Sequence, residues 1–160
     1  MQDVLLQLPG YESDSIIYRA DGRVVYRARS TADGAVVALE TLDAEFPDRQ
    51  QVAEIRREGE IAQRLADVAG VRKVHAVIAH GSGNLALVCE RFDSSLKAYL
   101  ALNGGGGLPL PEFLDIALTL AHTLGGIPSQ DLVHKELKPG YGLLNPLNGT
   151  HGLAGHVIAY

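Results

Sequence analysis

Two Asp-Gly pairs, at residues 21–22 and 33–34, divide the first part of the chain into short segments rich in β-branched and aromatic residues. Asp-Gly is a favoured sequence for the tight turn between paired strands, because both residues tolerate the positive φ angles of such turns. Residues 15–29 therefore predict two strands that turn at the first pair, and residues 35–42 predict a third strand after the second pair. We expect these strands to form one antiparallel sheet.

A helical pattern follows the predicted strands. Between residues 48 and 68, apolar residues recur at helical spacing among many charges, which indicates an amphipathic helix with one face on the sheet. The apolar positions include Val52, Ile55, Ile61 and Leu65. Gly70 is expected to end this helix, since glycine is common just after the last helical turn.

The second half of the chain predicts helices separated by a loop. Residues 94–102 predict a short helix, and the glycine run at 104–107 predicts a loop rather than a phosphate cradle, because no Gly-Lys-Ser/Thr follows it. Residues 110–124 predict the most apolar helix, with Pro111 and Glu112 in its first turn. Its few polar positions lead us to expect that this helix is covered on most sides.

The net charge and the cysteine content indicate which partners and which cellular compartment suit this chain. A net charge of −5 argues against nucleic acid as a partner, because nucleic-acid surfaces carry a basic excess. The single cysteine, Cys89, cannot form an internal disulfide, which is typical of a reducing compartment. The start of the chain has no secretory pattern, and its longest apolar stretch is shorter than the ~20 residues of a membrane span. We expect a cytoplasmic protein with no membrane partner.

Four segments occur in an informative order. Residues 37–40 read Val-Ala-Leu-Glu after the β-rich region, and Glu58 begins a helical apolar spacing eighteen positions later. Residues 85–92 read as a strand and hinge, and residues 134–139 read His-Lys-Glu-Leu-Lys-Pro. In this order the segments resemble the protein kinase family of serine/threonine type, whose catalytic loop reads H-R-D-L-K-P-x-N. Residues 8–11 and 134–136, with Asn-Pro at 145–146, are most similar to the kinase-like modules at the front of large bacterial sensor proteins.

The resemblance implies an α+β, protein kinase-like fold. It implies an antiparallel five-stranded small lobe with one packed helix, followed by a partial, mainly helical large lobe. It further implies that residues 1–160 form one partial domain, with the small lobe and hinge at 11–92 and a truncated large lobe from residue 93. Complete domains of the family are longer than this chain.

The resemblance also implies a set of site residues. Glu136 lies at the position of the catalytic aspartate, and Glu40 and Glu58 lie at the positions of the phosphate-binding lysine and its glutamate partner. The adenine and hinge positions correspond to Ile17, Val25, Ala38, Glu90, Phe92 and Leu143. The two magnesium-binding positions read Tyr141 and Gly155, so no metal site is expected.

Two carboxylates at positions 40 and 58 raise an electrostatic problem. If Glu40 and Glu58 approached to ~4 Å, they would repel by about 4 kcal/mol at an effective dielectric of 20. We therefore expect that the helix swings outward, that a neighbouring arginine intervenes, or that one carboxylate takes a proton. The simpler interpretation of Glu40 is a solvated charge at a strand end.

These substitutions predict a catalytically impaired, kinase-like regulatory or interaction module of a signalling protein. The alternatives are a weakly active serine/threonine-type kinase that transfers phosphate from ATP, and a non-functional fragment of one. No cofactor is required, although the apolar slot leaves room for weak ATP binding without magnesium. The partner is expected to be another protein or the missing C-terminal part of the same polypeptide, and self-association is a further expectation.

Overall fold

The computed structural model describes residues 4–130, 132–134, 137–154 and 157–159. The elements are β1 (Gln7–Leu8), β2 (Tyr11–Ala20), β3 (Arg23–Ser30), β4 (Val36–Leu42), α1 (Arg49–Arg64), β5 (Val74–His80), β6 (Asn84–Cys89), β7 (Ser94–Ser95), α2 (Leu96–Leu102), α3 (Leu110–Gly126), β8 (Leu132–His134), β9 (Gly142–Asn145), β10 (Thr150–Leu153) and β11 (Val157–Ala159). They divide into two compact units: a first unit of Met1–Gln63 with Lys73–Arg91, and a second unit of Arg64–Arg72 with Phe92–Tyr160.

The first unit is built on a six-stranded antiparallel sheet with the order β1-β2-β3-β4-β6-β5. Strands β2 and β3 turn at Asp21 and Gly22, whose φ angles are +54° and +72°. This confirms the predicted hairpin. Gly34, with φ +73°, lies in the turn before β4, as the second Asp-Gly pair predicts.

The sheet buries apolar side chains on both faces, because successive residues of a strand point to opposite sides. One face carries Val24, Tyr26, Ala28, Val37, Leu39, Ala86 and Val88, together with Leu8 of β1. The sheet curls around this cluster into a nearly closed, barrel-like form. The other face carries Ala38, Leu42, Leu85, Leu87 and Cys89, which pack with Ile55 of α1.

Helix α1 lies close against the outer face of the sheet. Asp48 caps its first turn, since the Gln51 backbone N–H donates to Asp48 Oδ1 at 2.8 Å and the Gln51 side chain accepts from the Asp48 N–H at 3.2 Å. A Cβ atom placed at Gly59 would lie 2.6 Å from Val77 Cγ2. Glycine therefore allows the helix axis to approach β5 more closely than a larger residue would.

The predicted end of α1 is wrong. The helix ends at Arg64, and Gly70 lies beyond it with a φ of +84°. A Cβ atom at this position would overlap the Thr123 side chain. Gly70 is therefore required for a turn that packs against α3 within the second unit, rather than for a helix end.

In the second unit, α2 and α3 agree with the predicted helices. Ser95 caps α2 by accepting the Ala98 N–H at 3.1 Å, and α3 begins with Pro111 and Glu112 in its first turn. Strands β10, β9 and β7 form a three-stranded sheet, and β11 pairs with β8. In the described ranges, no helix is both long enough and apolar enough to cross a membrane.

The predicted α+β, kinase-like fold with a five-stranded small lobe is wrong. The first unit has six strands in a nearly closed barrel-like sheet, because β1 pairs with β2 and Leu8 completes the internal apolar cluster. The region after residue 92 was expected to be mainly helical, yet its described part holds five strands, β7 to β11, as well as two α-helices and a 3-10 helix, Ile127–Gln130. These strands have two to four residues each, too few for a periodic pattern to distinguish them from loops.

Candidate functional site

Arg23 of β3 lies between two carboxylates in the first unit. Its Nη1 atom is 3.1 Å from Glu40 Oε1 of β4, and its Nη2 atom is 3.1 Å from Glu58 Oε2 of α1. We call Arg23, Glu40 and Glu58 the ion triad. Since Val25 pairs with Glu40 and Arg23 pairs with Leu42, Arg23 is the diagonal neighbour of Glu40 on the face that carries α1.

The ion triad resolves the repulsion expected between Glu40 and Glu58. Of the three arrangements considered, the structure has the one in which an arginine intervenes. The three side chains are 12–18% exposed, so the guanidinium bonds are charge-assisted contacts in a mostly desolvated site. The guanidinium neutralises one of the two carboxylates, which leaves the triad with a net negative charge.

The predicted apolar positions of the first unit belong to one cluster. Ala38 is a buried member of the core beneath α1, and Ile17 and Val25 are partly buried and pack against that core. The structure therefore brings these three residues together. Their packing partners include Val52 and Ala62 of α1.

The remaining predicted site residues lie in both units. Glu90 follows β6 in the first unit, where its N–H donates to the Lys73 carbonyl at 2.8 Å. In the second unit, the Phe92 ring packs directly over Gly152, which pairs with Leu143 across β9 and β10. Phe92 and Leu143 are thus near neighbours. Two residues predicted from the resemblance, Glu136 and Gly155, lie outside the described residues.

His134, Lys138 and Tyr141 lie near one another in the described part of the second unit. His134 Nε2 donates to the Ala154 carbonyl at 3.0 Å, since a carbonyl can only accept. Lys138 Nζ lies 4.7 Å from the centre of the Tyr141 ring, and the Tyr141 and His134 rings are 6.1 Å apart. Tyr141 therefore contributes aromatic contacts here. Within the described ranges, no three His, Cys, Asp or Glu side chains are grouped as a metal site requires.

The structure also reveals a buried polar cluster that the sequence did not predict. Thr41 and Asn84 are buried, and Thr41 Oγ1 lies 2.7 Å from both His80 Nε2 and the Leu85 carbonyl. The hydroxyl has one proton, and both the Leu85 carbonyl and Asn84 Oδ1, which lies 3.2 Å away, can only accept it. His80 Nε2 must then donate to Thr41. No local motif identifies this cluster, because residues 41 and 80 are adjacent only after β4, β5 and β6 have paired.

Asn84 extends this cluster to the connection between β4 and α1. Its side-chain nitrogen donates to the carbonyls of Leu42 and Ala44 at 3.2 Å each. Its side-chain oxygen accepts the Leu85 N–H at 2.8 Å. The polar cluster therefore fixes the chain where it leaves the sheet toward α1.

The polar cluster predicts that stability depends on pH. Burial lowers the pKa of His80 from its ordinary value of 6.5. As the pH falls through 6.5, His80 takes up a proton more readily in the unfolded chain than in the folded chain. The free energy of unfolding should therefore fall as the pH falls. Urea unfolding at pH 7.5, 6.5 and 5.5 measures this loss.

A His80→Gln variant provides the control, because glutamine can still donate to Thr41 but does not titrate. The wild type should lose more stability than His80→Gln between pH 7.5 and 5.5, since the other histidines are common to both proteins. Parallel pH profiles for the two proteins would show that His80 makes no such contribution.

Helix α3 presents a long apolar face that is exposed. Leu110, Phe113, Leu114 and Leu118 are 47–67% exposed, whereas Ile116 is buried. The described residues therefore do not supply the cover that this helix was expected to need. Residues 110–124 were predicted correctly as an apolar helix. The apolar residues surround this helix, however, and only one of its sides packs against the rest of the second unit.

No known protein-family model matches the chain. Two features of the described residues bear on function: the ion triad and the apolar face of α3. The charge of the ion triad decides how a phosphate group would be received there. The apolar face of α3 is a candidate surface for binding another polypeptide.

Proposed function

We propose that the chain is a non-catalytic interaction module that binds another polypeptide through the exposed face of α3. The exposure of four large apolar side chains along one helix carries this proposal. Leaving a large apolar side chain in water rather than burying it forgoes about 1.5–3 kcal/mol. Several such side chains on one helix favour a surface that becomes covered by a partner.

The continuity of the exposed side chains supports a binding surface rather than scattered surface residues. Leu110, Leu114 and Leu118 recur every four residues, and Phe113 follows Leu110 by three, so each of these side chains neighbours another on the helix. Contiguous apolar patches beyond a few hundred Å² are uncommon on monomeric proteins and mark interaction sites. A grooved or helical protein surface is the usual complement of such a face.

The ion triad supports the non-catalytic part of the proposal. Phosphoryl transfer depends on cations placed against the phosphate oxygens. At the position that the resemblance assigns to the phosphate-binding lysine, the chain has Glu40, and the guanidinium of Arg23 is already bonded to Glu40 and Glu58. A phosphate group at this site would meet excess negative charge.

We also propose that the module works in the cytoplasm. Its one cysteine, Cys89, is buried in β6 as a free thiol, which suits a reducing compartment. The net charge of −5 supports a protein partner rather than nucleic acid. Weak ATP binding without magnesium stays a prediction.

Site-specific photo-cross-linking tests the binding surface. A photoreactive residue placed at Leu114 should capture a polypeptide, and Leu118→Glu in the same protein should abolish the capture. The matched control is Leu102→Glu, because Leu102 is 84% exposed but lies on α2. Capture that is equally strong in both variants, or absent throughout, would contradict a specific surface on α3.

A further inference from the structure

The pattern of exposed residues on α3 points to a second copy of this chain as the polypeptide that covers it. We propose that two copies associate through antiparallel α3 helices. This inference rests on the proposed function and names the partner. It depends on the spacing of the exposed residues, on their sizes, and on the charged groups beside them.

The exposed residues of α3 follow the spacing of a helix-pairing seam. Residues 111, 114, 118, 121 and 125 are separated by alternating steps of three and four, and all five are exposed. Helices that pair along their length use this spacing. Ile116 and Thr123, the two buried residues of α3, fall on the opposite side of the helix. The seam therefore faces outward, where a second helix can reach it.

The residue sizes along the seam favour an antiparallel arrangement. The N-terminal half of the seam carries Leu114 and Leu118, and the C-terminal half carries Ala121 and Gly125. In an antiparallel pair, the leucines of one copy face the small residues of the other. Alternation of large and small side chains fills the space between helices without voids. A parallel pair would instead place leucines against leucines and leave only the small side chains of Ala121 and Gly125 to face each other in the C-terminal halves.

The charged and polar groups beside the seam also favour this arrangement. Asp115 and His122 are both exposed, are seven residues apart, and lie on the same edge of the seam. In an antiparallel pair related by a two-fold axis, this edge of one helix runs along the same edge of its partner. Asp115 of each copy then lies near His122 of the other, so two imidazole N–H groups donate to two carboxylates. Residues 110–126 contain no lysine or arginine that would compete for Asp115 from the same helix.

The expected association is weak and reversible. Stable protein interfaces bury about 1,200–2,000 Å² in total, and one pair of helices of this length, with alanine and glycine in half of the seam, provides less. We therefore expect the monomer and dimer to exchange, with the dimer populated at high protein concentration. A different protein seated on α3 is the alternative outcome that the experiments distinguish.

Sedimentation equilibrium of the 160-residue chain tests the inference. The wild type should show a concentration-dependent increase in mean mass toward that of two chains. Leu118→Glu should weaken the association at least tenfold, because it places a carboxylate in the seam. Leu102→Glu adds the same charge to the second unit outside α3 and should leave the association unchanged. Equal association of the two variants would overturn the use of α3.

A charge exchange then tests the antiparallel pairing. The double variant Asp115→Lys with His122→Lys, and the single variant His122→Asp, should each associate more weakly than the wild type, since like charges meet across the two-fold axis. An equimolar mixture of the two variants should regain association, because lysines of one copy then meet aspartates of the other. Failure of the mixture to associate would overturn the arrangement.

Sedimentation and cross-linking together separate the binding surface on α3 from the identity of its partner. A wild-type chain that stays monomeric while residue 114 captures a different protein, in a manner abolished by Leu118→Glu, overturns only the second copy as partner. A monomeric chain with no capture that depends on Leu118 overturns both the inference and the proposed function.

Discussion

Replacement of Arg23 by methionine should lower the free energy of unfolding by about 3 kcal/mol, at the lower end of the 3–5 kcal/mol range for breaking buried ion pairs. Methionine retains much of the side-chain volume but removes the charge that lies between Glu40 and Glu58. The two carboxylates would then repel each other in a mostly desolvated site, and α1 should loosen from the sheet. Equilibrium unfolding in urea measures the loss.

Two further variants make this prediction specific. Arg19→Met removes an arginine whose side chain is 46% exposed and whose partner is Asp43, and exposed pairs of this kind contribute about 0–1 kcal/mol. The triple variant Arg23→Met, Glu40→Gln, Glu58→Gln should recover most of the lost stability, since it removes the repulsion between the two carboxylates of the triad. If Arg23→Met costs no more than Arg19→Met, the ion triad does not hold α1 to the sheet.

The second large effect is expected at Gly70. An alanine there would have to adopt a φ of +84°, at a cost of about 1–2 kcal/mol, and its Cβ would overlap the Thr123 side chain. Overpacking adds typically 1–3 kcal/mol, so we expect Gly70→Ala to destabilise the second unit by about 2–5 kcal/mol in total. The rates of amide hydrogen exchange in α3, compared between the variant and the wild type, measure this loss of stability.

Gly149 provides the matched control. Its φ is +69°, but a Cβ atom there would meet nothing within 4 Å, so Gly149→Ala should show the backbone strain alone. Adding Thr123→Ala to Gly70→Ala should relieve part of the overlap. If Gly70→Ala and Gly149→Ala lose similar amounts of stability, the overlap between the new Cβ at position 70 and the Thr123 side chain has no energetic cost.

The parts of the fold that the sequence predicted are local. The first Asp-Gly pair specified its hairpin because the turn geometry depends on two adjacent residues, and Pro111 and Glu112 marked the start of α3 for the same reason. The end of α1 was predicted wrongly because Gly70 is explained by Thr123, more than fifty residues away. A contact between residues so far apart along the chain leaves no periodic pattern in the sequence.

The overall architecture was not predictable in this way. The predicted five-stranded small lobe was wrong because β1 has two residues and gains its stability by pairing with β2 and burying Leu8. A pair of residues carries no strand periodicity.

The candidate site was predictable only in part. The sequence showed that two carboxylates needed a counter-charge if they met, and an intervening arginine was among the solutions considered. That the arginine is Arg23 follows from the pairing of β3 with β4, which places it diagonally opposite Glu40. The polar cluster of Thr41, His80 and Asn84 was missed altogether, because none of its members belongs to a recognisable motif.

The central proposal is a non-catalytic interaction module, and an assay of phosphate transfer tests the non-catalytic part of this proposal most directly. With radiolabelled ATP, magnesium and generic protein substrates, we predict that the wild-type chain transfers no more phosphate than its Glu136→Ala variant. Transfer that requires magnesium and disappears in Glu136→Ala would contradict the claim.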